Sequence, residues 1–196
     1  AVIAWDKKIR AWIKLRYPRI TITDTKPDLA IVLGGDGSIL EASRHFQKEN
    51  PLILGLNLGH VGFLASIRDP HHFLKGLRAF FKGAYHVTQR ITAHAEIIRN
   101  KKSVYTITAL NDISIQHLLG MCEIDIRIQD HLVQHIRGTG VVISTPTGST
   151  AFNLSAHGPI VMPTIPCLII NELLDHNVPT PSIIVDGHST IDVHIA

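Results

Sequence analysis

This 196-residue chain lacks the features that mark several large classes of protein. It has no apolar run of roughly eighteen residues, which a membrane-spanning helix needs, so we expect no membrane partner. No signal-peptide pattern opens it. Lysine and arginine are not clustered and the net charge is only +3, so a nucleic-acid backbone is not an expected ligand. The remaining composition, 45% hydrophobic and 18% charged, is typical of a globular protein with small anionic ligands.

Cysteine is scarce. Cys122 and Cys167 are far apart and belong to no C-x-x-C pair, so we interpret them as reduced core residues of a cytoplasmic protein. Histidine is abundant by contrast, with thirteen residues. Pairs such as His71-His72 nevertheless lack a third ligand at a recognisable spacing. We therefore expect the chain to supply no metal-binding cluster of its own.

The first part of the chain alternates helical and extended patterns. Apolar residues at helical spacing predict amphipathic helices, and short apolar runs are typical of buried parallel strands. Strand, glycine turn, helix and strand in this order predict an α/β domain with a Rossmann-like parallel sheet over residues 1–84. The predicted helices are residues 5–15, 38–48 and 70–82, and the predicted strands are residues 28–33 and 51–56.

The texture changes after Gly83 and predicts a β-rich domain over residues 85–196. A hairpin tip is predicted at Asn100-Lys101-Lys102, and Asp130-His131 is typical of a turn. Strict alternation over residues 123–128 indicates a half-buried strand. The other predicted extended segments are residues 86–99, 103–115 and 141–143.

The turn Gly34-Gly35-Asp36-Gly37 ends the first predicted strand. Glycines let the backbone approach a ligand closely, and the helix that follows directs unpaired N–H groups at the same spot, which favours phosphate. An aspartate there can orient or deprotonate a hydroxyl, or hold magnesium through water. A tight turn in which Asp36 simply caps the helix explains the motif equally well, since short glycine patterns recur by chance.

Two further polar segments interrupt apolar strands. Residues 144–152, Ser-Thr-Pro-Thr-Gly-Ser-Thr-Ala-Phe, form an uncharged hydrogen-bonding cradle that suits a sugar, a phosphate or an adenine edge. Asn111-Asp112 could bind vicinal ribose hydroxyls. The alternatives are structural: Ser and Thr often satisfy backbone groups in loops, and Asn111-Asp112 could cap a β-bulge. Phe152 could lie in the core or stack on a base.

Taken together, these motifs occur in the order and with the flanks of one family. The glycine turn alone is shared with lipid kinases, whereas the long Ser-Thr-Pro-Thr-Gly-Ser-Thr run is specific. Over roughly residues 28–163 the chain resembles the NAD kinase family. The segments that carry this resemblance are residues 34–37, Asn57-x-Gly59-x-x-Gly62-Phe63-Leu64, Asn111-Asp112, residues 144–151 and Leu154-Ser155-Ala156-x-Gly158-Pro159-Ile160.

The resemblance implies an NAD kinase / diacylglycerol kinase-like fold with the site between its two domains. It implies transfer of a phosphoryl group from ATP or polyphosphate, with Mg²⁺ or another divalent cation, to the 2′-hydroxyl of the adenosine ribose of NAD, giving NADP. It also implies a homodimer or homotetramer. By motif, Asp36 would activate the hydroxyl. The residues that would bind NAD or nucleotide are Gly35, Gly37, Phe63, Asn111, Asp112, Thr147, Ser149, Thr150, Ala151, Phe152 and Ser155.

The chain departs from the family's usual pattern at a few positions. Thr139 lies between Gly138 and Gly140, where an aspartate is usual, Phe152 replaces a tyrosine and Asp112 replaces a glutamate. Two other functions fit parts of the sequence. A lipid or sphingoid-base kinase would share the glycine turn but not the hydroxyl-rich run. A dinucleotide-binding module without turnover would agree with Thr139.

Overall fold

The computed structural model describes residues 1–59, 62–174 and 180–195. The chain divides into two compact units, Ala1–Thr88 and Gln89–Ala196. Within the described ranges, no helix combines the length and the apolar character needed to cross a bilayer.

The first unit alternates helices and strands in the predicted order. Its elements are α1 (Val2–Arg16), β1 (Leu29–Gly34), α2 (Asp36–His45), β2 (Leu52–Asn57), a 3-10 turn at Pro70–His72 and α3 (Phe73–Phe81). Strands β1 and β2 pair in parallel, which confirms the prediction. Because Gly34 lies opposite Asn57 in this register, the glycine turn and the loop after β2 leave the same edge of the sheet.

An apolar core holds these elements in place. Ile9 and Ile13 of α1 pack with Leu56 of β2 and with Phe73 and Leu77 of α3. Each is nearly or fully buried, and burying such a side chain stabilises a fold by about 1.5–3 kcal/mol. The core therefore fixes the carboxyl end of β2, where the polar loop begins.

Helix α2 begins earlier than predicted. It starts at Asp36 rather than Ser38 and ends at His45 rather than Lys48. Gly35 is the last extended residue, with φ −92° and ψ −167°, and its carbonyl accepts hydrogen bonds from the N–H groups of Ser38 and Ile39. Asp36 and Gly37 consequently belong to the first helical turn, where the positive end of the helix dipole lies.

The second unit is β-rich, as predicted. Its elements are β3 (Ala93–Arg99), β4 (Lys102–Ala109), β5 (Asp112–Gln116), β6 (Cys122–Ile128), β7 (His131–Gly138), β8 (Gly140–Ser144), a 3-10 turn at Gly148–Thr150, α4 (Phe152–Ser155), β9 (Cys167–Leu173), β10 (Ile183–Asp186) and β11 (Ile191–Ile195). Three antiparallel groups result, in the orders β10-β9-β8-β5, β11-β6-β7 and β3-β4. Ile124, Ile126, Ile136, Val141 and Ile170 form the centre of its core.

Two predicted extended segments differ in the structure. Residues 86–92 form no strand, so β3 begins only at Ala93. The segment 103–115 breaks into β4 and β5, because the Asn111 carbonyl turns away to accept a hydrogen bond from the Thr145 N–H, and the chain leaves β3 to pair with β8. The predicted hairpin tip is confirmed, with positive φ at Asn100 and Lys101.

Candidate functional site

Asp36 uses both carboxylate oxygens inside the first unit. Oδ2 accepts the Phe63 N–H at 2.8 Å and Oδ1 accepts the Leu64 N–H at 3.1 Å. A Cβ at Gly62 would lie 2.6 Å from Oδ1, so glycine is what lets this segment approach the acid. The interpretation of Asp36 as a simple helix cap is wrong, because Gly35 is the N-cap residue of α2 and the Asp36 carboxylate accepts hydrogen bonds from Phe63 and Leu64 instead.

Two of the three glycines of the turn, Gly35 and Gly37, face open space. A Cβ on Gly35 or on Gly37 would meet nothing within 4 Å. The packing of this unit therefore does not explain why glycine is needed at either position. Close approach of a ligand to the backbone would explain it, and the amino terminus of α2 favours a negative charge there.

The loop after β2 is tied to the same edge. The nearly buried side chain of Asn57 accepts the Gly59 N–H through Oδ1 at 2.9 Å, and the Leu58 N–H donates to the Gly34 carbonyl at 3.3 Å. Phe63, one of the predicted adenine-pocket residues, has 61% of its surface exposed. Its backbone contacts Asp36, while its ring is free to meet a ligand. His60 and Val61 of this motif lie outside the described residues.

In the second unit, the hydroxyl-rich loop 144–152 is braced against Leu110 and Asn111. The fully buried Thr145 donates through Oγ1 to the Leu110 carbonyl at 2.6 Å and accepts the Gly148 N–H at 3.2 Å. A Cβ on Gly148 would overlap the carbonyl oxygen, the carbonyl carbon and the Cα of Asn111. The loop backbone thus lies directly on the Asn111 backbone, which brings two predicted binding segments together.

The hydroxyls of the loop have unequal surroundings. Ser149 is fully buried. Its Oγ accepts the Val161 N–H, and its single proton is shared between the Pro146 carbonyl at 2.7 Å and the Val161 carbonyl at 3.2 Å. Such a set of bonds holds the loop in shape and leaves little capacity for a ligand. Thr147 instead accepts a hydrogen bond from the Arg90 guanidinium at 3.1 Å.

Asn111 and Asp112 supply the polar groups beside the loop. The Asn111 Oδ1 is buried and accepts no hydrogen bond from the described residues, whereas buried acceptors are normally paired. Burial raises the pKa of the Asp112 carboxyl, and a smaller opposing effect comes from the hydrogen bond that it accepts from the Phe152 backbone N–H. Asp112 therefore lies at the Phe152 end of the loop.

The remaining predicted contacts lie along the end of the same loop. Thr150, Ala151 and Phe152 are half-buried and Ser155 is exposed, so each presents some surface to a ligand. Thr139 donates its hydrogen bonds to β9 and not to this loop. Its N–H and its hydroxyl both donate to the Leu173 carbonyl, at 2.9 and 3.0 Å. The Thr139 hydroxyl therefore makes a hydrogen bond within the protein.

Two residues of this region were missed by the sequence reasoning. Asn153 is fully buried, and its Nδ2 donates to the Ser149 and Pro159 carbonyls. Asn153 follows directly after the hydroxyl-rich loop, and this position in the motif could have indicated it. Arg90 lies 57 positions from Thr147 along the sequence, so no local pattern predicts their contact.

No group of three or more His, Cys, Asp or Glu side chains in the described ranges is placed to hold a metal ion. A cation brought by phosphates needs only one or two protein carboxylates, however, and Asp36 is such a group.

Two family models together match most of the chain. The model described as "ATP-NAD kinase N-terminal domain" matches residues 6–85, and the one described as "ATP-NAD kinase C-terminal domain" matches residues 110–196. The matched ranges contain every predicted site residue.

Individual relatives agree. An NAD kinase of Legionella pneumophila (strain Corby) is 38% identical over 176 residues, which cover 87% of this chain and 58% of the relative. An NAD kinase of Caldanaerobacter subterraneus subsp. tengcongensis is 38% identical over 174 residues, covering 88% and 61%. The chain thus spans about three fifths of the length of these curated relatives.

Two solved structures share the fold. Yeast NADH kinase complexed with NADH superposes with a TM-score of 0.80 at 28% identity, covering 86% of this chain and 50% of the other. An NAD kinase from Archaeoglobus fulgidus in complex with ATP gives 0.79 at 24% identity, covering 96% and 76%. At 24% identity, the second match shows only that the fold is shared.

Proposed function

This chain belongs to the NAD kinase family, and from that premise we propose that it transfers a phosphoryl group from ATP to the 2′-hydroxyl of the adenosine ribose of NAD, giving NADP. The observation that supports this most is Asp36, an acid in the first turn of α2 beside two glycines that face open space. Polyphosphate is the alternative donor. The hydroxyl-rich loop has no place in the lipid-kinase alternative, which we do not favour.

Asp36 is suited to orient and deprotonate a hydroxyl. A carboxylate has about four lone-pair sites, and the Phe63 and Leu64 N–H groups use two of them. These bonds fix the carboxylate group, so that a remaining lone pair can accept the proton of the ribose hydroxyl. Most of the acceleration would then come from positioning and from charge stabilisation at the transferred phosphoryl group.

The donor phosphates would lie at Gly35 and Gly37. The amino terminus of α2 presents backbone N–H groups and a partial positive charge, and neither glycine has a side chain in the way. Magnesium, when bound with the donor, would neutralise phosphate charge. Asp36 is the carboxylate of this turn that could also contact it through water.

NAD would be bound by the second unit. The Asn111 Oδ1 and the Asp112 carboxylate would accept hydrogen bonds from ribose hydroxyls. Thr150, Ala151, Phe152 and Ser155 would line the adenine side, and Thr147 would line the rest of the loop. In the first unit, the exposed ring of Phe63 would offer a surface to a nucleotide base. Ser149 would act by holding the loop. An unpartnered buried oxygen and a carboxyl of raised pKa support this arrangement, because both gain from a ligand donor.

The direct test mixes the chain with NAD, ATP and Mg²⁺ and follows NADP with an NADP-specific dehydrogenase. We expect steady NADP formation, and omission of NAD or ATP should abolish it. Folded protein that binds NAD but forms no NADP with ATP or with polyphosphate would leave the non-catalytic dinucleotide-binding module as the better interpretation.

We also propose self-association and action in the cytoplasm. Ile97, Tyr105 and Ile107 lie on one face of the β3–β4 hairpin and are exposed, and a two-stranded hairpin is marginally stable unless something packs on it. A second copy of the chain would cover that face. Cys122 and Cys167 are free thiols, which agrees with a reducing compartment.

Replacing Gly37 by alanine is expected to separate folding from turnover. The new methyl group meets no protein atom and alanine favours helix by up to about 1 kcal/mol, so the melting temperature should stay or rise. If the donor phosphates approach this backbone, the KM for ATP should rise about tenfold or more. Calorimetry and initial rates measure the two effects. An unchanged KM for ATP would contradict placement of the donor here.

The raised pKa of Asp112 predicts a pH dependence. Burial disfavours the charged carboxylate, so Asp112 contributes stability below its ordinary pKa of about 4 and loses that contribution as the pH rises through the folded-state value. NAD binding requires the opposite, ionised form, so affinity should fall as the pH is lowered toward about 4. Titrations of NAD at several pH values measure this.

Asp112→Asn should flatten that pH profile and weaken NAD binding by about tenfold to a hundredfold at neutral pH. Asparagine can still accept the Phe152 N–H, so the loop should keep its shape. Asp192→Asn, an exposed carboxyl on β11, is the matched control and should leave the profile unchanged. A profile of equal slope in wild type and Asp112→Asn would refute the assignment.

A further inference from the structure

Arg90 is a half-buried cation that the activity described so far does not use. It lies ahead of β3, and its Nη1 donates to the Thr147 Oγ1 at 3.1 Å. None of the ion pairs formed within residues 1–59, 62–174 and 180–195 includes it. A partly desolvated guanidinium is costly without an anion beside it, and its planar set of five donors matches phosphate oxygens.

Two opposite charges contact the hydroxyl-rich loop. Asp112 accepts the Phe152 N–H at one end of the segment 147–152, and Arg90 donates to Thr147 at the other. A ligand bound at this segment can therefore meet both a carboxylate and a guanidinium. Adenosine ribose attached to a diphosphate has groups that match both, because its hydroxyls can donate to a carboxylate and its negative charge suits a guanidinium.

We propose that Arg90 binds the diphosphate of NAD, while Asn111 and Asp112 bind ribose hydroxyls beside the same loop. The inference rests on the proposed function and deepens it by naming the cation of the dinucleotide site. Thr147 then positions Arg90, because its hydroxyl accepts a hydrogen bond from the guanidinium. Arg90 recognises the charge that NAD has and adenosine lacks.

The test measures binding of ADP-ribose and of adenosine to the full chain by calorimetry. In Arg90→Gln, we expect the Kd for ADP-ribose to rise about tenfold to a hundredfold, because a charged hydrogen bond is lost, while the Kd for adenosine changes less than about twofold. Arg90→Lys should recover part of the loss, since it keeps the charge but not the fork. Arg99→Gln removes an equal charge from the exposed end of β3 and should change neither Kd.

Three results would overturn the inference. Equal weakening of both ligands in Arg90→Gln would show that Arg90 only supports the loop through Thr147. No weakening of either would show that the guanidinium meets no ligand. A loss confined to the KM for ATP would assign Arg90 to the phosphoryl donor instead.

The failure of this inference can be told from failure of the proposed function. If wild type forms NADP and Arg90→Gln binds ADP-ribose normally, only the role of Arg90 falls. If wild type binds neither ADP-ribose nor adenosine and forms no NADP, both fall together.

Discussion

Asp36→Asn is expected to lower NADP formation by about 10²–10⁴-fold, the contribution typical of a positioned general base. The amide has no basic oxygen that can take up the hydroxyl proton. The amide keeps an oxygen that can accept a hydrogen bond from the hydroxyl, and most of the groups proposed to hold NAD lie in the second unit, so the Kd for NAD should change less than about threefold. Initial rates and NAD titrations measure the two quantities separately.

The structure adds a second effect to this substitution. One carboxylate oxygen becomes an NH₂ group that faces the N–H of Phe63 or of Leu64 and can no longer accept it. We expect a loss of about 1 kcal/mol in the free energy of unfolding, the usual value of one hydrogen bond. Thermal unfolding distinguishes this modest loss from the much larger loss in rate.

Glu41→Gln is the matched control, because it removes an exposed carboxylate from the same helix. It should leave both rate and stability unchanged. If Asp36→Asn keeps more than about a tenth of the wild-type rate, Asp36 is not the base. The role of this acid would then be to hold the segment that contains Phe63 and Leu64.

Gly148→Ala is expected to destabilise the chain by about 3 kcal/mol and to abolish measurable NAD binding. The added methyl would overlap main-chain atoms of Asn111, and backbone, unlike a flexible side chain, cannot turn aside. Relief of the clash must move the loop away from Asn111, which separates the Thr145 hydroxyl from its partners. Denaturant unfolding and NAD calorimetry measure the two losses.

Gly120→Ala serves as the control within the same unit. Its Cβ would lie 3.4 Å from the His117 ring, an ordinary contact outside the site. Stability and NAD binding should both stay at the wild-type values. A Gly148→Ala protein of normal stability and normal NAD affinity would show that the close approach of the loop to Asn111 is not needed for binding.

Local patterns were sufficient for most of the elements. Apolar runs predicted β1 and β2, and strict alternation predicted β6. These patterns are local, because a strand buried on both faces needs a continuous apolar run and a strand buried on one face needs alternating residues. They failed at the start of α2 and at the break between β4 and β5. In the second case the break depends on a hydrogen bond between Asn111 and Thr145, which are distant in sequence.

The sequence by itself determined the family, the two kinds of architecture and the polar segments that carry the proposed chemistry. The tertiary structure alone decided what each polar side chain contacts: Asp36 bonds to the backbone of Phe63 and Leu64, Ser149 is used internally, and Arg90 reaches Thr147. The physical reason is that hydrogen bonds are directional and short-ranged, so their partners depend on which distant segments the packed core brings within about 3 Å. Composition and spacing contain no such distances.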